Sequence, residues 1–419
     1  MYLHFDFHVS MSDQYTEVTT KSWGSRLGSS FGAVIGSFLL FIGAFVLLYW
    51  NEGRVDISNV AKTAIEAQAN SVDAALDGKL ISVTGQVTTP EMIGDGMYLK
   101  PGNYLGVMRT VEMYAWNQKS SSTSETKLGG SEETKTTYSY EKKWTSSPAD
   151  SGSFKVPEGH TNPVLTMEGA TVQATEASIG SYTIYPNKMD LPGYKTLTLT
   201  DDQIIGLGSP ETPVAPVAGS GTTLGSGSTL AETATGTAMP SSPGAIRRID
   251  NVLYMGAGSP SNPQIGDIRI SYKVLAPGFR GTVFGNQASG GIIEAYASND
   301  GRLYALYEGG REEAIQAMHD SYVMMTWALR VLGFLMMWGG LSGIFAPLTV
   351  LLDVLPFLGH VSRGAISFIA FWITLLLSIL TIILSMLLHN IVLIIILAVA
   401  GLIGAFLWLR VKGKNAMAK

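Results

Sequence analysis

His160, in the stretch EGHTNP, is the one histidine between residue 51 and His319, so a search for a general base starts there. A catalytic histidine needs a nucleophile within hydrogen-bond reach and a third group to orient it. Serines abound in this chain but none stands at a diagnostic spacing from His160, and cysteine is absent altogether. His160 is therefore read as a turn residue. Glu91 with Asp95, and Asp201 with Asp202, could bind calcium weakly, but neither stretch has the repeated oxygen ligands of an EF-hand loop. Both are expected to be solvated acidic loops. No glycine-rich phosphate cradle, nucleophile elbow or HExxH helix is present. The sequence thus assigns no catalytic residue, no cofactor and no metal ligand. Two charges in apolar surroundings are left, Arg330 and Asp353. Arg330 is expected to snorkel towards an outer leaflet, with a functional intramembrane charge as the sharper alternative.

Those two charges lie among apolar runs that must position them. Residues 364–409 contain no Asp, Glu, Lys or Arg. One helix of that length would be about 69 Å long, roughly twice what a hydrocarbon core needs. The run is therefore read as two crossings, 364–388 and 391–409, broken at His389-Asn390. A further apolar run fills 31–50, between Lys21 and Arg26 on one side and Glu52 and Arg54 on the other. Its bulky Tyr49-Trp50 ending suits a headgroup zone and argues against a cleaved signal peptide. Residues 326–345 supply another crossing. Pro347, Pro356 and Asp353 make 346–363 an interfacial or re-entrant segment. The expectation is four transmembrane helices, with Gly32, Gly36, Gly43, Trp327, Arg330, Gly333 and Asp353 as candidates for membrane contact or self-association.

Charge divides the chain in the same way. Residues 51–325 hold 29 of the 33 acidic residues and 20 of the 28 basic ones, and the remainder holds 4 acidic and 8 basic. Basic residues cluster before 31, at Arg363 and in the tail 410–419, so the positive-inside rule puts both termini in the cytoplasm and 51–325 in a lumen or periplasm. The net acidity argues against a nucleic-acid footprint. Within 51–325, residues 55–77 are alanine-rich and predict a helix. Strand signals follow at 79–89, 104–116, 134–145, 170–185, 194–199, 246–255, 267–275 and 301–307. The polar stretch between the second and third suggests an extended hairpin. Residues 206–244 are rich in Gly, Ser, Thr, Pro and Ala and predict a flexible insert. Residues 309–325 predict a helix returning to the membrane. The fold class is α+β: a multipass membrane protein with one large antiparallel β-rich extracytoplasmic domain, preceded by a polar segment 1–30 lying loosely at the membrane surface.

The stretches SFGAVIGSFLLFIGAFVLLYWNEGR (30–54), RTVEMYAW (109–116), YSYEKKW (138–144), GHTNP (159–163), GDIRISY (266–272) and TWALRVLGFLMMWGGL (326–341) occur in the same order in a known family. Together they resemble the transmembrane protein 43 (LUMA) family, found in animals and bacteria, over nearly all of 25–412. The resemblance implies four membrane helices, cytosolic or nucleoplasmic termini and a lumenal domain. For an animal member it also implies the endoplasmic reticulum and inner nuclear membrane, self-association, and emerin and lamins as partners; for a bacterial member it implies the inner membrane. Trp327, Arg330 and Gly333 fall within what looks like a family motif.

These readings favour a non-enzymatic, self-associating scaffold that organises membrane proteins or lipids. A transporter or channel component, resting on Arg330 and Asp353, is the first alternative. A membrane-associated enzyme acting on lipid or peptide is the second.

Overall fold

The computed structural model describes residues 14–207, 246–299, 301–354 and 356–389. The fourth expected helix (391–409), the tail 410–419, the leader 1–13 and the insert from 208 to 244 lie outside the described residues. The chain opens with strand β1 (Gln14–Lys21), then helix α1 (Trp23–Glu52), short α2 (Ile57–Lys62), β2 (Ile65–Ala67) and β3 (Leu80–Thr88). A long pair follows, β4 (Gly106–Thr126) and β5 (Glu132–Thr145), and then β6 (Ala170–Gln173), β7 (Ala177–Ile179), β8 (Tyr182–Ile184) and β9 (Lys195–Thr196). Next come β10 (Arg247–Ile249), β11 (Val252–Met255), β12 (Ile268–Leu275), β13 (Arg280–Ala288), β14 (Ile292–Glu294), β15 (Tyr296–Ser298), β16 (Gly301–Leu303) and β17 (Ala305–Glu308). The described chain ends in α3 (Arg311–Ile344), α4 (Ala346–Leu352) and α5 (Pro356–His389).

Two larger sheets form the β domain. The first runs β1-β5-β4-β12-β11-β10, with β6 on β4 and β9 on β12. The second closes on itself, because β3 pairs with β13 and β7 while β14 and β8 complete the circuit. Closure removes free edges from this small barrel. Its lining is apolar: Ile81, Val83, Ile179, Ile184, Val283 and Ile293 are all fully buried. Each such side chain contributes about 1.5–3 kcal/mol relative to exposure. β4 shows the alternation of a half-buried strand, with Val107, Val111, Met113 and Ala115 inward. Two tight turns use the left-handed region, at Gly180 (φ 61°) between β7 and β8 and at Asp250 (φ 52°) between β10 and β11.

Several expectations are corrected. Residues 55–77 form one short α-helix, α2, which Asp56 caps by accepting from Ser58 N at 3.0 Å, and a single 3-10 turn at Ala74–Leu76. Ile65–Ala67 then leaves helix to lie parallel to β3, whose fully buried centre offers a better apolar partner than solvent does. The strand β13 has no counterpart among the sequence signals, because Gly281, Gly285, Asn286 and Gln287 leave it without a simple apolar period. The segment 14–30 is not a loose leader: β1 pairs with β5 across eight residues and α1 begins at Trp23, capped by Ser22.

The helices α1, α3 and α5 pack side by side. Among the described residues three helices are long and apolar enough to cross a membrane, spanning Trp23–Lys62, Arg311–Ile344 and Arg363–His389. The molecule is thus a multipass membrane protein with three candidate spans and a large β domain. Its β domain docks on the first turns of α3, where Ala314, Ile315 and Met318 join Leu80, Phe284, Leu303 and Ala305 in one core.

Candidate functional site

Two clusters of charge lie at opposite ends of the three helices. At the end away from the β domain, Arg26 reaches three partners at once. Its guanidinium bonds the carboxylates of Glu132 (2.7 Å) and Asp353 and the carbonyl of Gly130. Asp353 is 1% exposed and takes a second arginine, Arg363, at 3.0 Å. Arg363 also donates to Thr126 Oγ1 at 3.0 Å. Trp23 donates its indole N–H to the Val350 carbonyl at 2.9 Å, and Gly129 N donates to Val354 O at 3.2 Å. Residues from α1, the β4–β5 tip, α4 with its C-terminal turn, and α5 are therefore clasped together. Asp353, which the sequence places in an interfacial or re-entrant segment, is the buried hub of this clasp.

At the domain end, Arg330 meets Glu52 through two parallel hydrogen bonds, Nε at 2.8 Å and Nη2 at 2.7 Å. Paired forks of this kind are the strongest ion-pair geometry available to arginine. The Arg330 guanidinium also lies over the Trp327 ring, 4.9 Å from its centroid. Glu52, at the end of α1, thus holds the Arg330 side chain, a partner that the sequence reading did not name. Asn51 donates to the Thr326 carbonyl at 3.2 Å beside it. Glu52, Tyr322, Val323, Thr326, Trp327, Arg330, Met386 and His389 line a cavity of about 400 Å³. His389 is the last described residue of α5. Its ring sits so close to Gly53 that any side chain at 53 would collide with it.

Between these ends the helices touch through glycine. A Cβ on Gly333 would come within 2.6 Å of Leu48 Cδ2, and one on Gly340 within 2.7 Å of the Phe41 backbone nitrogen. Gly333 is therefore a packing residue inside the fold. A Cβ on Gly43 would lie 3.7 Å from Met336 Cε, whereas Gly32 and Gly36 meet nothing within 4 Å. The exposed faces are apolar throughout, as Phe31, Ile35, Leu39, Val331, Trp372 and Leu376 illustrate.

The polar groups of the β domain serve the fold. His160 Nδ1 lies 3.0 Å from the Val156 carbonyl, and the ring stacks on Tyr140 at 3.8 Å. Asp95 is not a solvated loop residue. It accepts from the amides of Met97, Tyr98 and Leu99, from Arg109 (2.9 Å) and from the Tyr272 hydroxyl (2.7 Å). Burial pushes the Asp95 carboxyl up, but the bonds from Tyr272, the amides and Arg109 outweigh it and leave its pKa below the ordinary value. The Tyr272 hydroxyl is driven up by burial and by that same carboxylate. Asp201 pairs with Arg248. Among the described residues no group of three His, Asp or Glu could hold a metal ion, and the chain has no cysteine.

Sequence reasoning missed the pairing of Glu52 with Arg330 and the clasp around Asp353. A signal was present, since each charge flanks or interrupts an apolar run, but partners 278 and 327 residues apart are brought together only by the fold.

The model of the family described as Transmembrane protein 43 matches residues 113–391. The chain is 24% identical to transmembrane protein 43 of Mus musculus over 396 residues, 89% of each chain. It is 23% identical to that of Homo sapiens over the same length and coverage. A homologue from Drosophila melanogaster is 24% identical over 336 residues, 77% of this chain and 78% of its own. No solved structure matches the chain.

Proposed function

This chain belongs to the transmembrane protein 43 family, and from that premise we propose that it is a self-associating membrane scaffold that organises membrane proteins or lipids. One observation carries the reading: a polar β ribbon extends from the β domain at one end of the apolar helices and its tip is tied to their other end. The β4–β5 pair loses β12 after Met113, is still covered by Asn162, His160 and Phe154 as far as Trp116 and Tyr140, and reaches the clasp at Thr126. From Met113 to Thr126 the strand runs about 40 Å. The course of α1 from Arg26 to Glu52 is also about 40 Å.

Lipid suits the helices and not the ribbon. Lys119 and Glu125 are exposed on it, and the hydroxyl pairs Ser122–Thr136 (2.9 Å) and Ser124–Thr134 (2.8 Å) line one of its faces. Beyond Trp116, whose backbone N–H and carbonyl are both bonded by Asn162, no strand pairs with the outer edge of β4 among the described residues, and β1 is the end strand of its sheet. Each unpaired backbone group costs several kcal/mol in hydrocarbon, and each charge at the bilayer centre costs more than about 2 kcal/mol. A lone copy therefore has no comfortable place in a bilayer. Further copies that cover the ribbon edges and turn the helices outward remove the conflict, and Gly32 and Gly36 leave an open stripe on α1 for close approach.

The clasp end, with Arg26 and Arg363, is assigned to the cytosolic side and the body of the β domain to the opposite side. Transport gains no support from Arg330 or Asp353, because Glu52, Arg26 and Arg363 already neutralise them. Light scattering of the protein in mild detergent, corrected for bound detergent, tests the scaffold. The expected mass is a multiple of 44.8 kDa. A strictly monomeric particle over a hundredfold range of protein concentration overturns the proposal.

A further inference from the structure

The ribbon β1-β5-β4 ends in two bare edges, and the geometry of one fits the other. On β4, the Trp116 N–H and carbonyl both meet Asn162, on the side away from β5. Backbone groups alternate sides along an antiparallel strand, so those of Gln118, Ser120, Ser122 and Ser124 also point away from β5. No strand meets them among the described residues. The same alternation, carried across β5, turns the backbone groups of Thr16, Val18 and Thr20 outward on β1. Neither edge carries the usual protection against strand addition. Residues 14–21 and 117–126 contain no proline, and both run opposite β5 residue for residue, without a bulge. Val18, on the outermost strand, is 56% exposed.

The two edges are also level. Residues 14–21 lie opposite 132–139 of β5, and these lie opposite 119–126 of β4, so β1 and β4 run parallel at one height. Copies of one chain cross a bilayer in the same orientation, because the same basic residues set it. With the ribbon running from the domain end of the helices to the clasp, neighbouring copies are related by rotation about an axis along the strands. Their paired edges must then run parallel. An edge cannot meet its own twin in this way. A two-fold along the strand puts the same residue at the same height on opposite faces, whereas neighbours in a ladder share a face. The β1 edge of one copy can meet the β4 edge of the next. Placed level, Thr16 stands opposite Ser121 of the next copy, and its N–H and carbonyl reach the outward groups of Ser120 and Ser122. Val18, opposite Thr123, reaches those of Ser122 and Ser124. The side chains agree: Glu17 falls opposite Ser122 and Thr20 opposite Glu125, so no like charges meet.

We infer that neighbouring copies join by parallel strand addition, the β1 edge of one to the β4 edge of the next, with Val18 opposite Thr123. The inference rests on the scaffold reading and specifies its joint. The two surfaces differ, so the contact is head to tail, and repetition about one axis closes a ring in the membrane plane. The chain has no native cysteine, which makes the joint addressable. Val18→Cys and Thr123→Cys chains with different tags are co-expressed, and a short bismaleimide is added to the protein in mild detergent. A covalent dimer carrying both tags is expected from the mixture, and none from either chain alone. Ser120→Pro, placed in the Thr123→Cys chain, removes an N–H that no strand of its own copy accepts and obstructs the added strand. It is expected to lower the yield about tenfold while thermal unfolding stays unchanged. Ser120→Ala keeps the N–H and is expected to crosslink fully. Full yield with Ser120→Pro, or equal loss with Ser120→Ala, overturns the pairing. A covalent dimer from Val18→Cys alone means that twin edges meet and overturns the head-to-tail contact. A particle that keeps a multiple of the chain mass but gives no two-tag dimer overturns the joint and leaves the scaffold standing, whereas a monomeric particle overturns both.

Discussion

At the scale of single residues, burial and pairing decide what each charge does. Asp95 accepts bonds from three amides, Arg109 and Tyr272 in a buried pocket of the first sheet. Asp95→Asn leaves Arg109 buried without its counter-charge, and such losses cost about 3–5 kcal/mol. Chemical denaturation of the parent and the variant measures this directly. The pH dependence has a definite sign. The folded Asp95 carboxyl sits below its ordinary value. Its stabilisation is thus complete above a pH of about 4, the usual aspartate range, and is lost as pH falls through the folded value. The gap between parent and Asp95→Asn is expected to narrow in acid and to stay constant from neutral pH upward. A gap that widened in acid would contradict the network. In sequence Asp95 reads as a solvated loop residue because its partners Arg109 and Tyr272 are remote, and nothing local marks a loop carboxylate as buried. His160 is legible as a turn residue: its amide donates to the Pro157 carbonyl and its ring stacks on Tyr140.

At the scale of elements, hydropathy is the reliable guide. The run at 31–50 lies inside α1, and that at 326–345 inside α3 up to its cap Phe345, because an apolar stretch in lipid must close its backbone bonds within itself. The hairpin signals at 104–116 and 134–145 match β4 and β5, although the ribbon continues through the serines, which belong to β4 rather than to a loose tip. Those hydroxyls pair across strands, a stabilisation invisible to an apolar-alternation rule. Helix packing is half legible. The glycines of α1 stand out in sequence, but the tight contacts are made by Gly333, Gly340 and Gly343 of α3 against Leu48, Phe41 and Ser37. Gly340→Leu is expected to force α1 and α3 apart, because the obstruction is backbone and cannot rotate away. A loss of about 1–3 kcal/mol, or several degrees in thermal unfolding followed by tryptophan fluorescence, is the predicted size. Gly36→Leu, at a position with nothing within 4 Å, is expected to leave monomer stability unchanged. Equal damage from both would mean that α1 and α3 do not pack through the Gly340 face.

At the scale of the whole molecule, the ribbon joins what charge and hydropathy divide. Placing 1–30 and 51–325 on opposite sides of a membrane leaves no room for β1 to pair with β5, yet Gln14–Lys21 lies in register with Glu132–Ser139. Charge and hydropathy are sums over segments and carry no record of which segments touch. The positive end of the bundle instead includes the tip of the hairpin, brought there by Arg26 and Arg363. With three spanning helices, this predicts that Leu128, at the tip, and Met92, in the body of the domain, face opposite sides of the bilayer. They are 82% and 60% exposed, and the chain has no native cysteine to label. In sealed, oriented vesicles a membrane-impermeant maleimide should reach Leu128→Cys and Met92→Cys from different faces. Ser122→Cys, halfway along the ribbon, should label in the assembled protein, since copies that exclude lipid leave the hydroxyl-rich face wet. Labelling of Leu128→Cys and Met92→Cys from the same face would sink the spanning arrangement. The helices would then lie along one leaflet with the ribbon in water above them, and the physical need for further copies would disappear with the crossing.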